Sequence, residues 1–567
     1  MKNIKRILWV SLISLALNGQ EQLSLKSTVL GSTAGHPFQV YNNYMYMGEM
    51  NGNMVLQHNQ TQHNLSYKSK QRQKEFWTER TTLTRVRMPN PDPEEKWTKL
   101  TTKTAEQRKD GEKLGQSPYS RITNERYHMY LWGTKSPGLF VRTINAEGKE
   151  ESFRRVAELS KECGAVRMEF SKSEDDSHAA FCAYVCNERK DKYRQDAYDV
   201  ELIVMDEDHE IVYQEVISNM PDIGMLNFAQ MLFAEERLYV LGYQYYKEGR
   251  KKSKKNPLIE QKRFMLLSVD LKDQSLSVFP VVNLDRFADD GNMALMENGQ
   301  ISIGVTRKES GKEGAVKGFI HRLFDPKTQE MSPAAFVDFS EIQDAEQLDP
   351  DSDEAKSDRF KMSTLGKRNF SYKGFLKLKN INLSFTTSLA TPSGGRYDIL
   401  EWTRSIKTID KSDGTEIGNP RYYHYGSMIV YSNPQGEPEY IENIYREFSD
   451  DREWEYMGAG AWYGTVGNDL VMAFPDHSDN GEFYSGRLEK LKFVRNSTAN
   501  VVRYIRLTEE GQLANTAFEF PENQYFNLNS SLSMNGFRFG SAPLKAVFSG
   551  TMVGFNIGWQ NILLELE

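Results

Sequence analysis

A hairpin that recurs along the chain sets the tightest limit on what this sequence can fold into. One copy runs from Asp199 to Met205, turns at Asp206-Glu207-Asp208 and returns from Ile211 to Val216. Turns of the same kind, flanked by alternating apolar positions, open at Asn145, Asp206, Asp270, Asp325, Asn433 and Thr508, at intervals of 61, 64, 55, 108 and 75 residues. The 108-residue interval reads as two units, with Asp398-Ile399-Leu400 and the Asp410 to Gly414 turn supplying the hairpin between them. A second hairpin type alternates with the first, as at Met293 to Gly304 around Asn298-Gly299 and at Tyr463 to Phe474 around Gly467-Asn468. Two hairpins make a four-stranded antiparallel sheet, and a sheet repeated at this spacing predicts an all-β chain, a β-propeller.

The 12% aromatic share agrees with strands. Removing residues 1–19 from 567 leaves 548, which at roughly 60 to 75 residues per unit predicts seven or eight blades, with six also compatible. Residues 20–567 are therefore read as one propeller. Charged runs at Lys68 to Gly115, Lys247 to Lys255 and Asp344 to Asp358 are read as solvated loop insertions between strands. Propellers commonly seal by completing one sheet with both chain ends, so Ile562 and Leu564 are expected to pair with N-terminal strands, for which Phe38 to Tyr41 and Tyr44 to Met47 are the candidates.

Residues 1–19 have the layout of a secretory signal: Lys2, Lys5 and Arg6, an apolar run from Ile7 to Leu17, then Gly19 before a polar stretch. That run is about eleven residues, short of the roughly 20 needed to span a bilayer, and no later segment approaches that length. An exported chain without a membrane span is expected. No cysteine lies near the cleavage point to carry a lipid anchor. The net charge of -7 with mixed signs argues against nucleic-acid binding.

Cys163, Cys182 and Cys186 are the only cysteines, too few for a disulfide framework. Cys182 and Cys186 would sit on one face of an extended Ala179 to Val185 run, about 13 Å apart and unable to bridge. A pairing of Cys163 with either stays open.

Catalytic signatures do not appear. The sequence has no Gly-x-Ser-x-Gly, no His-Glu-x-x-His, no phosphate loop and no Cys-x-x-Cys. Nine histidines are scattered without metal-ligand spacing, and Asp349, Asp351 and Asp353 start a calcium loop that fails at Glu354, where glycine is needed, and at Phe360, where a carboxylate is needed. No cofactor, metal or catalytic residue is predicted. One region stands out as a ligand platform: Tyr422, His424, Trp454, Tyr456, Trp462 and Tyr463, flat rings beside the turn-forming Gly458 and Gly460. Stacking on a sugar or peptide and packing between blades are both open to such rings.

The strand ending Val204-Met205-Asp206-Glu207-Asp208-His209-Glu210-Ile211-Val212, the strand from Arg237 to Tyr243 and the lysine-rich loop 247–255 resemble a group of uncharacterised exported proteins of Bacteroidota. The resemblance covers Arg167 to Glu567. It implies a periplasmic or surface location in a Gram-negative cell and carries no activity to transfer. Because the chain runs to Glu567 as one closing strand, with no added terminal domain, the periplasm is favoured.

Three functions fit. The first is an exported non-enzymatic propeller that binds a protein or glycan. The second is a polysaccharide hydrolase with carboxylates at the central channel, and the third is a structural part of an envelope complex.

Overall fold

The computed structural model describes most residues between 119 and 519, and strand segments alone from 25 to 115 and from 526 to 566. Side chains are described only within 119–519, so residues 1–19, 344–358 and Cys163 lie outside the description. The described residues form eight sheets of four or five strands, antiparallel apart from one parallel addition, and one two-stranded pair. In chain order the second to seventh sheets occupy 114–158, 165–216, 227–285, 288–338, 382–450 and 462–519.

The third, fourth and seventh sheets are four-stranded meanders whose strands follow chain order, and the fifth and sixth are such meanders with one strand added. The central strands have two buried sides. Along Ala179–Cys186, Ala180 and Cys182 enter the core shared with the fourth sheet, while Ala179, Phe181 and Ala183 enter the core shared with the second. The same arrangement joins the fourth to the fifth, the fifth to the sixth and the sixth to the seventh sheet. First strands of successive sheets lie side by side: Ala165–Lys172, Asn227–Ala234, Ala288–Leu295, Asn382–Ala390 and Trp462–Val466. Sheets packed face to face, with their first strands gathered together, constitute a β-propeller.

The residue opening each outer turn caps it. Asp206 Oδ1 accepts from Asp208 N at 3.0 Å and Glu210 N at 2.9 Å. Asn433 Oδ1 does the same for Gln435 N and Glu437 N, both at 3.0 Å. Asn145, Asp270, Asp325 and Thr508 repeat the pattern, as expected for side chains that satisfy the turn's own backbone.

Three expectations need correction. The 108-residue interval contains one sheet step: Asp398-Ile399-Leu400 lies inside the second strand of the sixth sheet, Arg396–Ile406. The extra length belongs to the connection 339–381, in which the described structure is a two-stranded pair at Phe360–Lys361 and Asn369–Phe370. The run 68–115 is not only loop, because Trp77–Arg87 pairs along its whole length with Asn53–His63. Its threonines have strand propensity that the charge density obscured. The last strand, Gly558–Leu566, does pair with an N-terminal strand, Val29 opposite Ile562, but that strand is Leu25–Ala34. Tyr44 and Met47 fall in Tyr41–Met50, the first strand of the first sheet.

Polar groups tie neighbouring sheets at the tight-turn end. Tyr130, Tyr239 and Tyr397, near the starts of second strands, are fully buried. Tyr397 Oη donates to Asn468 O at 3.0 Å and Leu507 O at 3.3 Å, and Tyr239 Oη accepts from Gln329 Nε2 at 3.4 Å. Each reaches a turn of the next sheet.

Replacing Tyr397→Phe leaves those carbonyls without this donor and should lower stability by about 1 to 2 kcal/mol in urea unfolding. Deleting 561–567 removes the strand between Leu25–Ala34 and Leu544–Met552. Its thermal midpoint should fall by many degrees; an unchanged midpoint would contradict this pairing.

Candidate functional site

Strand order divides the molecule into two unlike ends. Turns between first and second, and between third and fourth, strands all fall at one end, where they are short: 124–125, 206–210, 235–236, 296–300, 433–437 and 467–468. Asn124, Glu125, Glu235 and Glu236 have φ of 48°, 57°, 48° and 58°, the left-handed geometry of two-residue hairpins. The other end receives the connections 187–197, 249–258, 407–420, 451–460 and 477–500. Functional residues in such folds gather where loops are long and held by a rigid scaffold.

Toward that long-connection end, Glu401 gathers four groups from three strands and the residue just before the last of them. Its Oε1 accepts from Arg446 Nη2 at 3.0 Å, Tyr463 Oη at 2.6 Å and Ala461 N at 3.4 Å. His424 Nδ1 stands 3.7 Å from Oε2, too far for a hydrogen bond. Tyr463 Oη also meets Ser427 Oγ at 2.6 Å. A bulge aligns the set: pairing slips between Trp402 and Thr403, and again between His424 and Gly426. Gly426, at φ 136°, lies so close to the Ile444 carbonyl that a Cβ there would collide with it. Burial would raise the Glu401 carboxyl, but His424, Arg446 and Tyr463 outweigh burial and hold it at about 2.

Of the residues singled out from sequence, the structure therefore brings together His424 and Tyr463. Tyr463 is a buried packing residue whose hydroxyl points to Glu401, so it presents no ring face to solvent. Tyr422 and Trp462 lie on strands, opposite Asp450 and Ala473, and their side chains are outside the described set. Trp454 and Tyr456 lie outside the described residues. Glu401 and Arg446 were not foreseen; the available signal was a glycine inside a strand pattern.

A second group lies at the same end of the fifth sheet, where pairing slips between Ala288 and Gly291 on the first strand. Asp289 meets Lys308 Nζ at 2.7 Å and Lys262 Nζ at 3.4 Å. Burial opposes its ionisation, yet the two lysines prevail and its carboxyl is held below the usual range. Asp290 accepts from Gly291 N at 2.9 Å; burial, with the Asp289 charge beside it, raises its carboxyl. Two neighbouring carboxyls are thus pushed in opposite directions, the arrangement that separates a proton donor from an ionised partner.

Asp476 closes a third cluster, with Arg503 Nε at 2.9 Å and Asn480 Nδ2 at 2.6 Å. Among the described residues no three potential metal ligands converge, and no helix is long and apolar enough to cross a membrane. Cys182 is fully buried in the core between the third and fourth sheets.

No protein-family model matches the sequence, nor does any curated protein. Solved structures similar to it include an α-L-arabinanase of Penicillium chrysogenum complexed with arabinobiose, at 11% identity and TM-score 0.23, covering 87% of this chain and 97% of that one. A GH43_1 enzyme from Xanthomonas citri is 8% identical at TM-score 0.22, covering 60% and 88%. Drosophila Plexin A in complex with Semaphorin 1b is 9% identical at TM-score 0.29, covering 79% and 85%. With TM-scores this low, none bears on substrate or partner.

Glu401→Gln removes a charge that Arg446 faces in the interior and should cost about 3 to 5 kcal/mol near neutral pH. The Glu401 carboxyl sits below its unfolded value of 4.5, so its contribution is present above that pH and is lost as pH falls toward 2. Urea titrations of both proteins should therefore converge as pH drops below about 4.5; a constant gap would contradict this account.

Proposed function

We propose that this is an exported propeller that binds a protein or glycan of the cell envelope on its long-connection face. The observation that carries this reading is the unlike character of the two ends. At the tight-turn end neighbouring sheets spend their polar groups on one another: Ser393 N donates to Asn468 Oδ1 at 3.0 Å, and Tyr440 Oη donates to Thr508 O at 2.7 Å. At the other end the connections carry a basic run, Arg250 to Lys255, and the aromatic residues Trp454 and Tyr456. Aromatic and basic side chains on such connections would suit glycan stacking or a partner's acidic surface.

A glycan array tests the glycan form. The folded protein should give a signal that the Trp454→Ala, Trp462→Ala double variant loses with an unchanged melting midpoint. A signal that survives in the double variant would overturn the aromatic platform.

Asp289 and Asp290 favour a second reading, a polysaccharide hydrolase. As chain neighbours their Cα atoms lie about 3.8 Å apart, which allows their carboxyls to come within the roughly 10 Å that glycoside hydrolysis requires. In this reading Asp290 donates the proton and Asp289 stays ionised between its lysines. Reducing-end release from a panel of polysaccharides should fall at least about 100-fold in Asp290→Asn; absence of release by the wild-type protein across the panel would leave binding as the function.

A further inference from the structure

The seam between the second and third sheets holds a buried cationic cluster that neither functional reading uses. Arg121, on Ser120–Thr123, is fully buried, and His128 and His209 are 5% and 6% exposed. Arg121 Nη1 donates to Asp176 O at 3.2 Å, and Nη2 donates to Asp206 O and to His209 Nδ1, the latter at 2.8 Å. His209 Nε2 lies 3.0 Å from His128 Nδ1, and His128 Nε2 lies 2.9 Å from Thr123 Oγ1. None of these hydrogen bonds ends on a carboxylate.

Donors and acceptors fix one direction for the chain. A guanidinium only donates, so His209 Nδ1 must accept. The His209 proton is then on Nε2 and points at His128 Nδ1, which accepts, and the His128 proton on Nε2 goes to Thr123 Oγ1. Both imidazoles are thereby neutral, and each bond defines the next. A proton added to His209 Nδ1 would face an Arg121 N–H, with Tyr130 Oη at 3.5 Å, and one added to His128 Nδ1 would face the His209 N–H, with Thr143 Oγ1 at 3.1 Å as its one other neighbour among these bonds. The first breaks the Arg121–His209 bond and the second the His209–His128 bond, even where Thr143 Oγ1 accepts the new proton, and each places a second positive charge near Arg121. His209 sits at φ 66° in the outer turn of the third sheet, so the bond that breaks is one of those holding that turn to the second sheet, beside the bonds from Arg121 to Asp206 O and from Arg154 to Asp208 O.

The seam between the fifth and sixth sheets repeats the device. Arg396 Nη1 donates to His321 Nε2 at 2.7 Å, and Ser302 Oγ lies 3.0 Å from the same nitrogen. Here Asp398 pairs with Arg396 at 2.6 Å, which balances the guanidinium without touching the imidazole.

We propose that these arginine-to-imidazole bonds are acid-sensitive latches, and that protonation of His128 and His209 releases the seam between the second and third sheets as the surroundings acidify. Other charges facing the cluster are Arg154, whose Nη2 donates to Asp208 O at 2.5 Å and which pairs with Glu210 at 3.8 Å, and Arg126, paired with Glu151 at 2.6 Å. Lys172 holds the Asp176 carboxylate at 2.8 Å. Burial, then the neighbouring cations, hold His128 at about 4; burial, then His128 and the arginines, hold His209 at about 3. Both lie below the unfolded value of 6.5. The closed seam is thus fully favoured above about pH 6.5 and weakens as pH falls. Two protons taken up on opening raise the opening equilibrium by up to about 100-fold per pH unit between roughly pH 6 and 4.

Hydrogen exchange of the full chain, expressed as protection factors at pH 7.5, 6.0 and 5.0, tests this. Protection of the 206–210 turn should fall steeply with acid, while the 325–330 turn, which meets Tyr239 rather than a histidine, should hold. In His209→Gln the amide can accept from Arg121 and donate to His128 without titrating, so the fall should be at least about tenfold smaller at pH 5.0. Should that variant not fold, His128→Gln gives the same comparison. Equal losses at both turns, or a glutamine variant that follows the wild-type curve, would overturn the proposal.

Discussion

A sheet that is apolar on both sides cannot be buried by one partner, and everything else in this molecule follows from that requirement. Phe181 and Cys182 are consecutive on one strand yet belong to two different cores. Each central sheet therefore needs a neighbour before and after it, and chain order supplies both. Burial at roughly 25 cal/mol per Å² of apolar surface makes these seams the main source of cohesion. The tyrosine hydroxyls at the turn end add direction to it, fixing which turn of the next sheet each strand must meet.

Stacking of this kind also decides where recognition can occur. Antiparallel meanders place two turns of every sheet at one end, and tight packing there leaves the chain room for longer excursions only at the other. The excursion 477–500 shows how far this goes, since it sends Tyr484 Oη to Tyr445 O at 2.8 Å and pairs Val494 with Phe448 of the sixth sheet. Carboxylates at that end are used with care: Glu401, Asp476 and Asp289 each meet a cation, so the sheet ends from which the long connections rise are pinned. Asp290 alone among these groups is described with backbone donors rather than a cation, which is why a catalytic reading attaches to it.

Much of the fold was legible because short-range chemistry wrote it. Asp206, Asn433 and the other turn openers announce themselves because their side chains cap the backbone a few residues on. Both hairpin types were readable for that reason, whereas the two-sided burial of 179–185 was not read from its sequence. Interval lengths misled where a connection, rather than a sheet, filled them, as between Asp325 and Asn433. The strand Trp77–Arg87 was hidden by its charges. The candidate site was less legible, because Glu401, Arg446 and Tyr463 are joined only by a bulge at Tyr425 and Gly426 and by the seam between two sheets. His424 and Tyr463 were singled out for their rings, yet a carboxylate is what unites them. Likewise nothing local in Arg121, His128 or His209 shows that they meet.

Limited proteolysis at neutral pH, with cut sites mapped by mass spectrometry, tests the central claim that the sheets cohere through their seams and expose one face of long connections. Cuts should fall within 187–197, 249–258, 309–315 and 407–420, spare the turns at 206–210, 433–437 and 508–512, and leave fragments that elute together at the size of the intact protein. Early cutting in those tight turns, or fragments that separate without denaturant, would contradict it.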